Sequence, residues 1–188
     1  LGAREYTVMP DVCFTLPECK MKKKPQLAYI PTRENTATEG RILSLARELS
    51  ISPTVIPLNY EKDFSVCKKI AARMKIPLFV FNGYEALSEV LSECMFSVTD
   101  RLHGAIFSML SHTASFISSG SEKCLSLIDE IERASIILGI KSPLFSISEL
   151  CTDKIKELGA FRSEFGKLLS YLNESSSDGL AALCRALS

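Results

Sequence analysis

Six consecutive residues, Thr99-Asp100-Arg101-Leu102-His103-Gly104, gather the side chains best suited to chemistry in this sequence. Arg101 offers a permanently charged, planar fork that holds phosphate or carboxylate through two N–H groups at once. His103 brings an imidazole, the side chain best suited to give or take a proton in water. Gly104 permits close backbone approach. The strand-like run Met95 to Thr99, with Phe96 and Val98 apolar, leads into the group, and Ile106, Met109 and Leu110 follow at helical spacing. The polar residues therefore sit where a buried strand ends and a helix begins. Thr99 or Asp100 can cap that helix with a side-chain oxygen. The free N–H groups of its first turn form an anion site, aided by the helix dipole. Two readings stand at this point. In one, the loop binds an anion and moves a proton. In the other, Asp100 is a cap, Arg101 a surface residue and His103 a structural histidine.

The flanking pattern supplies a scaffold for such a loop. Short apolar runs alternate with amphipathic segments, the mark of β-α-β units. Strands are predicted at Thr7 to Met9, Leu27 to Ile30, Thr54 to Leu58, Leu78 to Phe81, Met95 to Thr99, Ala114 to Ile117 and, at an edge, Leu144 to Ile147. Helices are predicted over Ala37 to Leu49, Glu61 to Met74, Tyr84 to Glu93, Arg101 to Leu110 and Glu122 to Leu138. A helical C-terminal region follows Ser148, broken near Gly159 and at Ser175-Ser176-Ser177-Asp178-Gly179. The fold class expected is α/β, with a doubly wound, mainly parallel Rossmann-like sheet and a helical C-terminal region. The divisions expected are 1–25, the end of an upstream part followed by a linker; 26–147, the Rossmann-like lobe; and 148–188, the helical region. In such sheets chemistry gathers outside the carboxyl ends of the strands. That rule selects the loops Pro31 to Thr36, Leu58 to Tyr60, Thr99 to Gly104 and Ser118 to Lys123.

Composition narrows the function classes. Lys plus Arg and Asp plus Glu are both 22, so charge gives no support for nucleic acid or an anionic membrane as partner. The apolar runs are strand-sized, far below the roughly 20 residues that span a bilayer, and no transmembrane segment is expected. The seven cysteines are odd in number, lack CxxC spacing and mostly sit in apolar stretches. They read as small hydrophobes in a reducing cytoplasm. No His/Asp/Glu cluster suggests a metal. Lys22-Lys23-Lys24 reads as a solvated linker, and Asp63, Glu85, Asp129, Arg41, Arg47 and Arg73 as solvated helix faces. His112 reads as a helix-end or loop residue. The chain opens on Leu1, and the natural protein is expected to continue upstream.

The stretch from Tyr84-Glu85-Ala86-Leu87 through Met95-Phe96-Ser97-Val98-Thr99-Asp100-Arg101-Leu102-His103-Gly104-Ala105-Ile106-Phe107 resembles the C-terminal motif region of the polysaccharide pyruvyl transferases. Asp11-Val12-Cys13-Phe14-Thr15-Leu16 is similar to the family's Asp-x-x-Phe-x-Leu segment, which ends its first lobe. Leu27-Ala28-Tyr29-Ile30-Pro31-Thr32-Arg33 looks like the strand that opens its second lobe. Ser119-Gly120-Ser121-Glu122-Lys123 sits where the family often has a Lys beginning a helix.

The resemblance implies one lobe of a GT-B-like architecture and a transfer of a pyruvyl ketal unit from phosphoenolpyruvate to sugar hydroxyls of cell-surface glycans. It implies Arg101 and His103 as catalytic residues and Arg33, Lys123 and Gly104 as substrate-binding residues. It implies no cofactor beyond the donor substrate, a glycan or lipid-linked sugar acceptor, and a first lobe of the same protein as partner. A cytoplasmic place, peripheral to the membrane where glycan precursors are made, goes with it. The chain alone is expected to fold but to transfer little. Two other readings remain: a GT-B glycosyltransferase lobe binding a nucleotide sugar, and a lobe that binds without catalysis.

Overall fold

A computed structural model describes residues 11–118, 121–158 and 164–187. The strand expected at Thr7 to Met9 and the helix break at Gly159 lie outside these residues. Five strands form one sheet: β1 (Gln26–Ile30), β2 (Ser52–Val55), β3 (Phe96–Thr99), β4 (Ala114–Ile117) and β5 (Leu144–Ser146). Every pairing is parallel and the order is β2-β1-β3-β4-β5. The helices are α1 (Thr36–Glu48), α2 (Tyr60–Met74), α3 (Gly83–Glu93), α4 (Leu102–Leu110), α5 (Glu122–Leu138), α6 (Thr152–Glu157) and α7 (Phe165–Leu187). This is the doubly wound, Rossmann-like α/β class. Its order reverses between β1 and β3, so the connections from those two strands diverge and leave a crevice at their carboxyl ends.

Local chemistry sets the boundaries. Asn35 and Asn59 cap α1 and α2 by accepting from Thr38 N–H and Lys62 N–H, both at 3.1 Å. Ser121 caps α5 through Cys124 N–H, and Gly139, at φ 64°, ends it in the left-handed conformation glycine tolerates. β3 and β4 are buried on both faces, as parallel strands under helices are. Leu27, Tyr29, Phe96, Val98 and Phe116 join Ile42, Ile70 and Ile131 in the main core. Ala28 and Ile30 pack with Leu87 and Leu91 of α3.

Two expected features are absent. Leu78 to Phe81 is no strand: Leu78 makes a single bridge to Val55. β2 is an edge strand only four residues long, and Pro57 and Pro77 remove N–H groups that a longer ladder would need. The serine run is no break either, since α7 continues through Ser175 to Gly179. Ser175 Oγ donates to the carbonyl of Tyr171 at 2.8 Å, within the helix, and Ser176 is fully buried.

Several residues expected in solvent are tied instead. Arg73 spans buried Glu39 and exposed Glu34. Arg41 donates to the carbonyls of Ile147 and Ser148, each at 3.2 Å. Lys24 pairs with Glu93 at 2.6 Å, and Lys23 donates to Thr113. Ahead of β1, a 3₁₀ turn at Val12–Thr15 packs on α4 and α7. No helix among the described residues is long and apolar enough to cross a membrane.

Candidate functional site

β3 delivers the polar group to the crevice, where Thr99 and Asp100 face the loop after β1. Thr99 is buried; its Oγ1 donates to the Ile30 carbonyl at 3.0 Å and accepts from Arg101 N–H at 3.0 Å. Asp100 accepts from both the N–H and the hydroxyl of Thr32, each at 2.7 Å. Burial raises the Asp100 carboxyl above its ordinary value, against the Thr32 hydrogen bonds that favour the charged form.

These bonds correct the capping expectation. Arg101 occupies the N-cap position of α4, and its side chain makes no cap hydrogen bond there. Asp100 is spent on Thr32 rather than on the helix. Among the described residues the first turn of α4, Leu102-His103-Gly104, thus carries no side-chain cap, which suits an anion.

Arg101 is not free, and Asp63 is not solvated. The guanidinium pairs with the Asp63 carboxylate, whose side chain is 2% exposed, while Arg101 keeps 27% of its own exposure. Asp63 also accepts from Asn59 N–H at 2.9 Å, so one carboxylate closes the start of α2 and holds Arg101. Nε of Arg101 is buried without a partner. Sequence reasoning missed this pair because it joins residues 38 positions apart. The one local signal was an Asp four residues after a capping Asn.

Gly104 is buried, and its missing Cβ has an internal cause. A Cβ there would lie 2.5 Å from Thr99 Oγ1 and 3.3 Å from Arg101 Cβ. The glycine lets α4 close down on the end of β3, a packing reason distinct from approach to a ligand.

His103 is half exposed, with Nε2 3.4 Å from Asp11 Oδ2. Asp11 lines an open cleft of about 400 Å³ together with Leu102, Lys123 and Glu130. Lys123 is exposed at the start of α5. Burial, and then Asp11, raise the Glu130 carboxyl, whose Oε1 has no partner. Arg33 belongs to another small pit, lined with Asn35, Asp100 and Ser118. The five expected residues thus fall into three settings: His103 and Lys123 around Asp11, Arg33 beside Asp100, and Arg101 with Gly104 at the head of α4. Ser119 and Gly120 of the fourth loop lie outside the described residues.

Among the described residues, Asp11, Cys13 and His103 present ligand atoms within 4.8 Å of one another. Burial and the Asp11 carboxylate push the Cys13 thiol up to about 11, so it is a poor thiolate at neutral pH. His112 is buried at φ 51° and pairs with Glu18 at 2.6 Å, apart from this crevice.

A family model described as polysaccharide pyruvyl transferase matches residues 1–121, a span that contains Asp11, Arg33, Arg101 and His103 and ends just short of Lys123. No curated protein matches the chain. Among solved structures the chain is similar to a UDP-GlcNAc 2-epimerase from Neisseria meningitidis bound to UDP-GlcNAc, at 13% identity and a TM-score of 0.49, over 92% of this chain and 46% of that one. It is also similar to a glutamyl-tRNA reductase from Methanopyrus kandleri, at 8% identity and a TM-score of 0.35, over 87% of this chain and 40% of that one. The chain spans less than half the length of either.

Proposed function

The chain belongs to the polysaccharide pyruvyl transferase family, and from that premise we propose that it is the donor-binding lobe of a GT-B-like enzyme that moves a pyruvyl unit from phosphoenolpyruvate to sugar hydroxyls of a cell-surface polysaccharide. The observation that carries the reading is the placement of Arg101-Leu102-His103. The motif lies inside the matched span, at the strand-order reversal, on a helix start that no side chain caps among the described residues.

In this reading the uncapped N–H groups of α4 and the Arg101 fork receive the carboxylate or phosphate of the donor. Asp63 keeps that fork in place. Arg33 supplies a second cation from the loop after β1, and Lys123 neutralises the departing phosphate. The donor's double bond gains a sugar oxygen at C2 and a proton at C3. A second hydroxyl then displaces phosphate at C2, its proton leaving on the departing phosphate, which closes the ketal. His103 takes the proton of the first hydroxyl and passes it to C3. Gly104 contributes by fitting α4 against Thr99. The acceptor, a glycan or lipid-linked sugar, is met by the lobe that the whole protein adds, so the chain alone transfers little. No cofactor is required beyond the donor, and the work is done in the cytoplasm on glycan precursors.

The test is ligand choice. Thermal shift and calorimetry on the chain should show stabilisation by phosphoenolpyruvate and none by UDP-GlcNAc at the same concentration. Preference for the nucleotide sugar would favour a glycosyltransferase lobe. Binding of neither would leave the family fold without the donor site.

A further inference from the structure

The donor site as described leaves Asp11 without a task, yet its carboxylate stands 3.4 Å from Nε2 of His103. The two residues come from opposite ends of the matched span and meet only in the folded chain.

Each is anchored independently. Oδ1 of Asp11 accepts from Cys13 N–H at 2.9 Å, which fixes the carboxylate as the cap of the 3₁₀ turn. The Asp11 carbonyl accepts from the hydroxyl of buried Ser176 on α7 at 3.4 Å. Phe14, 1% exposed, pins the turn into the core. On the other side, the His103 ring lies over Phe107, one helical turn on, with centroids 6.0 Å apart and planes at 29°. The anchors leave Oδ2 3.4 Å from Nε2. The other titratable groups around the pair are Cys13, and Glu130, Glu122 and Lys123 of α5, which share the cleft with Asp11.

We propose that Asp11 is a positioning residue for His103: it receives the Nε2–H of the neutral ring, fixes that tautomer, and leaves Nδ1 as the nitrogen that handles the substrate proton. The inference rests on the reading of His103 as the proton carrier. A carboxylate behind an imidazole sets which nitrogen is free and steadies the imidazolium that forms when the free one is protonated. In the transfer, the sugar O–H bond breaks as oxygen bonds to C2 of the donor, and the C2=C3 π bond breaks with its electron pair taking up a proton at C3. The proton passes to Nδ1 and then to C3, returning the ring to its starting tautomer against Asp11.

The 188-residue chain labelled with ¹⁵N-histidine tests this directly. Long-range ¹H–¹⁵N spectra report which ring nitrogen carries the proton. Wild type should show His103 as the Nε2–H form. Asp11→Asn keeps an oxygen for Cys13 N–H, so the turn survives, but its amide can donate to Nε2 and should shift His103 towards the Nδ1–H form. Asp11→Glu, which keeps the carboxylate, should restore part of the wild-type signal. In the whole protein, Asp11→Asn should lower the kcat for phosphate release from phosphoenolpyruvate about ten- to a hundredfold, with little change in KM.

A tautomer unmoved by Asp11→Asn overturns the proposal, whether or not phosphoenolpyruvate binds. So does a rise in KM at unchanged kcat, which would place Asp11 on a substrate. Stoichiometric Zn²⁺ uptake that Cys13→Ser abolishes would overturn it too, making Asp11, Cys13 and His103 a metal centre. Failure of phosphoenolpyruvate to bind, with the tautomer result as expected, would remove the donor reading and leave the Asp11–His103 relationship standing.

Discussion

Arg101 of the loop after β3 is held by Asp63 of α2, a carboxylate whose side chain is only 2% exposed. The pair makes Arg101 a structural as well as a chemical residue. Removing Asp63 strands a guanidinium whose Nε is already buried without a partner. Asp63→Ala should therefore cost about 2 to 4 kcal/mol, below the usual figure for a fully buried pair because Arg101 keeps some solvent. For a chain of this length that lowers the melting temperature by roughly 4 to 16 °C. Arg101→Ala should also destabilise, by leaving Asp63 buried with only Asn59 N–H. The double variant should cost less than the sum of the singles. Additive losses in chemical denaturation would show that the two do not interact.

Gly104→Ala is the second prediction, and its sign is informative. In a helix interior, alanine for glycine ordinarily gains about 1 kcal/mol. Here the new methyl would lie 2.5 Å from Thr99 Oγ1, an atom that already bonds Ile30 and Arg101. The variant should lose about 1 to 3 kcal/mol through overpacking. Denaturant unfolding checks it: a gain in stability would show that the Thr99 contact is not limiting.

A third prediction concerns pH. Burial, and then Asp11, raise the Glu130 carboxyl above its ordinary 4.5. A raised folded value means that the unfolded chain releases this proton first. Stability from this group is therefore full below 4.5 and declines as pH climbs from there through the folded value. Glu130→Gln removes the ionisation. Its stability relative to wild type should rise as pH climbs above 4.5, and urea unfolding at rising pH measures the difference. A difference that is flat or falls with pH would contradict the assignment.

How far the sequence disclosed the molecule depended on the range of the forces involved. Ala114–Ile117 and Glu122–Leu138 form as read, because a short, mostly apolar run and the local signals Ser121 and Gly139 define them. Leu78 to Phe81 has strand-like residues, but a strand needs a neighbour with free N–H groups, and β2 between its prolines offers one bridge. The crevice itself was legible, since β-α-β order places it. Its wiring was not. Asp100 looked like a cap because caps are local, whereas its partner Thr32 is 68 positions away. Asp63 looked solvated because helical periodicity shows which face is polar and not what lies opposite.

The last prediction separates binding from stability at Lys123 and Arg33. Lys123 is exposed at the head of α5 and shares the cleft with Asp11 and Glu130. Removing it breaks no core contact, so Lys123→Ala should keep the melting temperature within about 2 °C of wild type. If Lys123 meets the phosphate of phosphoenolpyruvate, the lost charge-assisted contact should weaken donor affinity about tenfold. Arg33, also exposed, should behave alike, with its Lys variant recovering part of the affinity because charge persists while the fork is lost. Arg101→Ala should differ from both by losing affinity and stability together. Calorimetry with phosphoenolpyruvate and thermal melts on these four variants beside wild type decide the matter. Unchanged affinity in both Lys123→Ala and Arg33→Ala would confine the donor to the head of α4. A large drop in the melting temperature of Lys123→Ala would show that its ammonium stabilises the acidic cleft of Asp11 and Glu130 in the absence of any ligand.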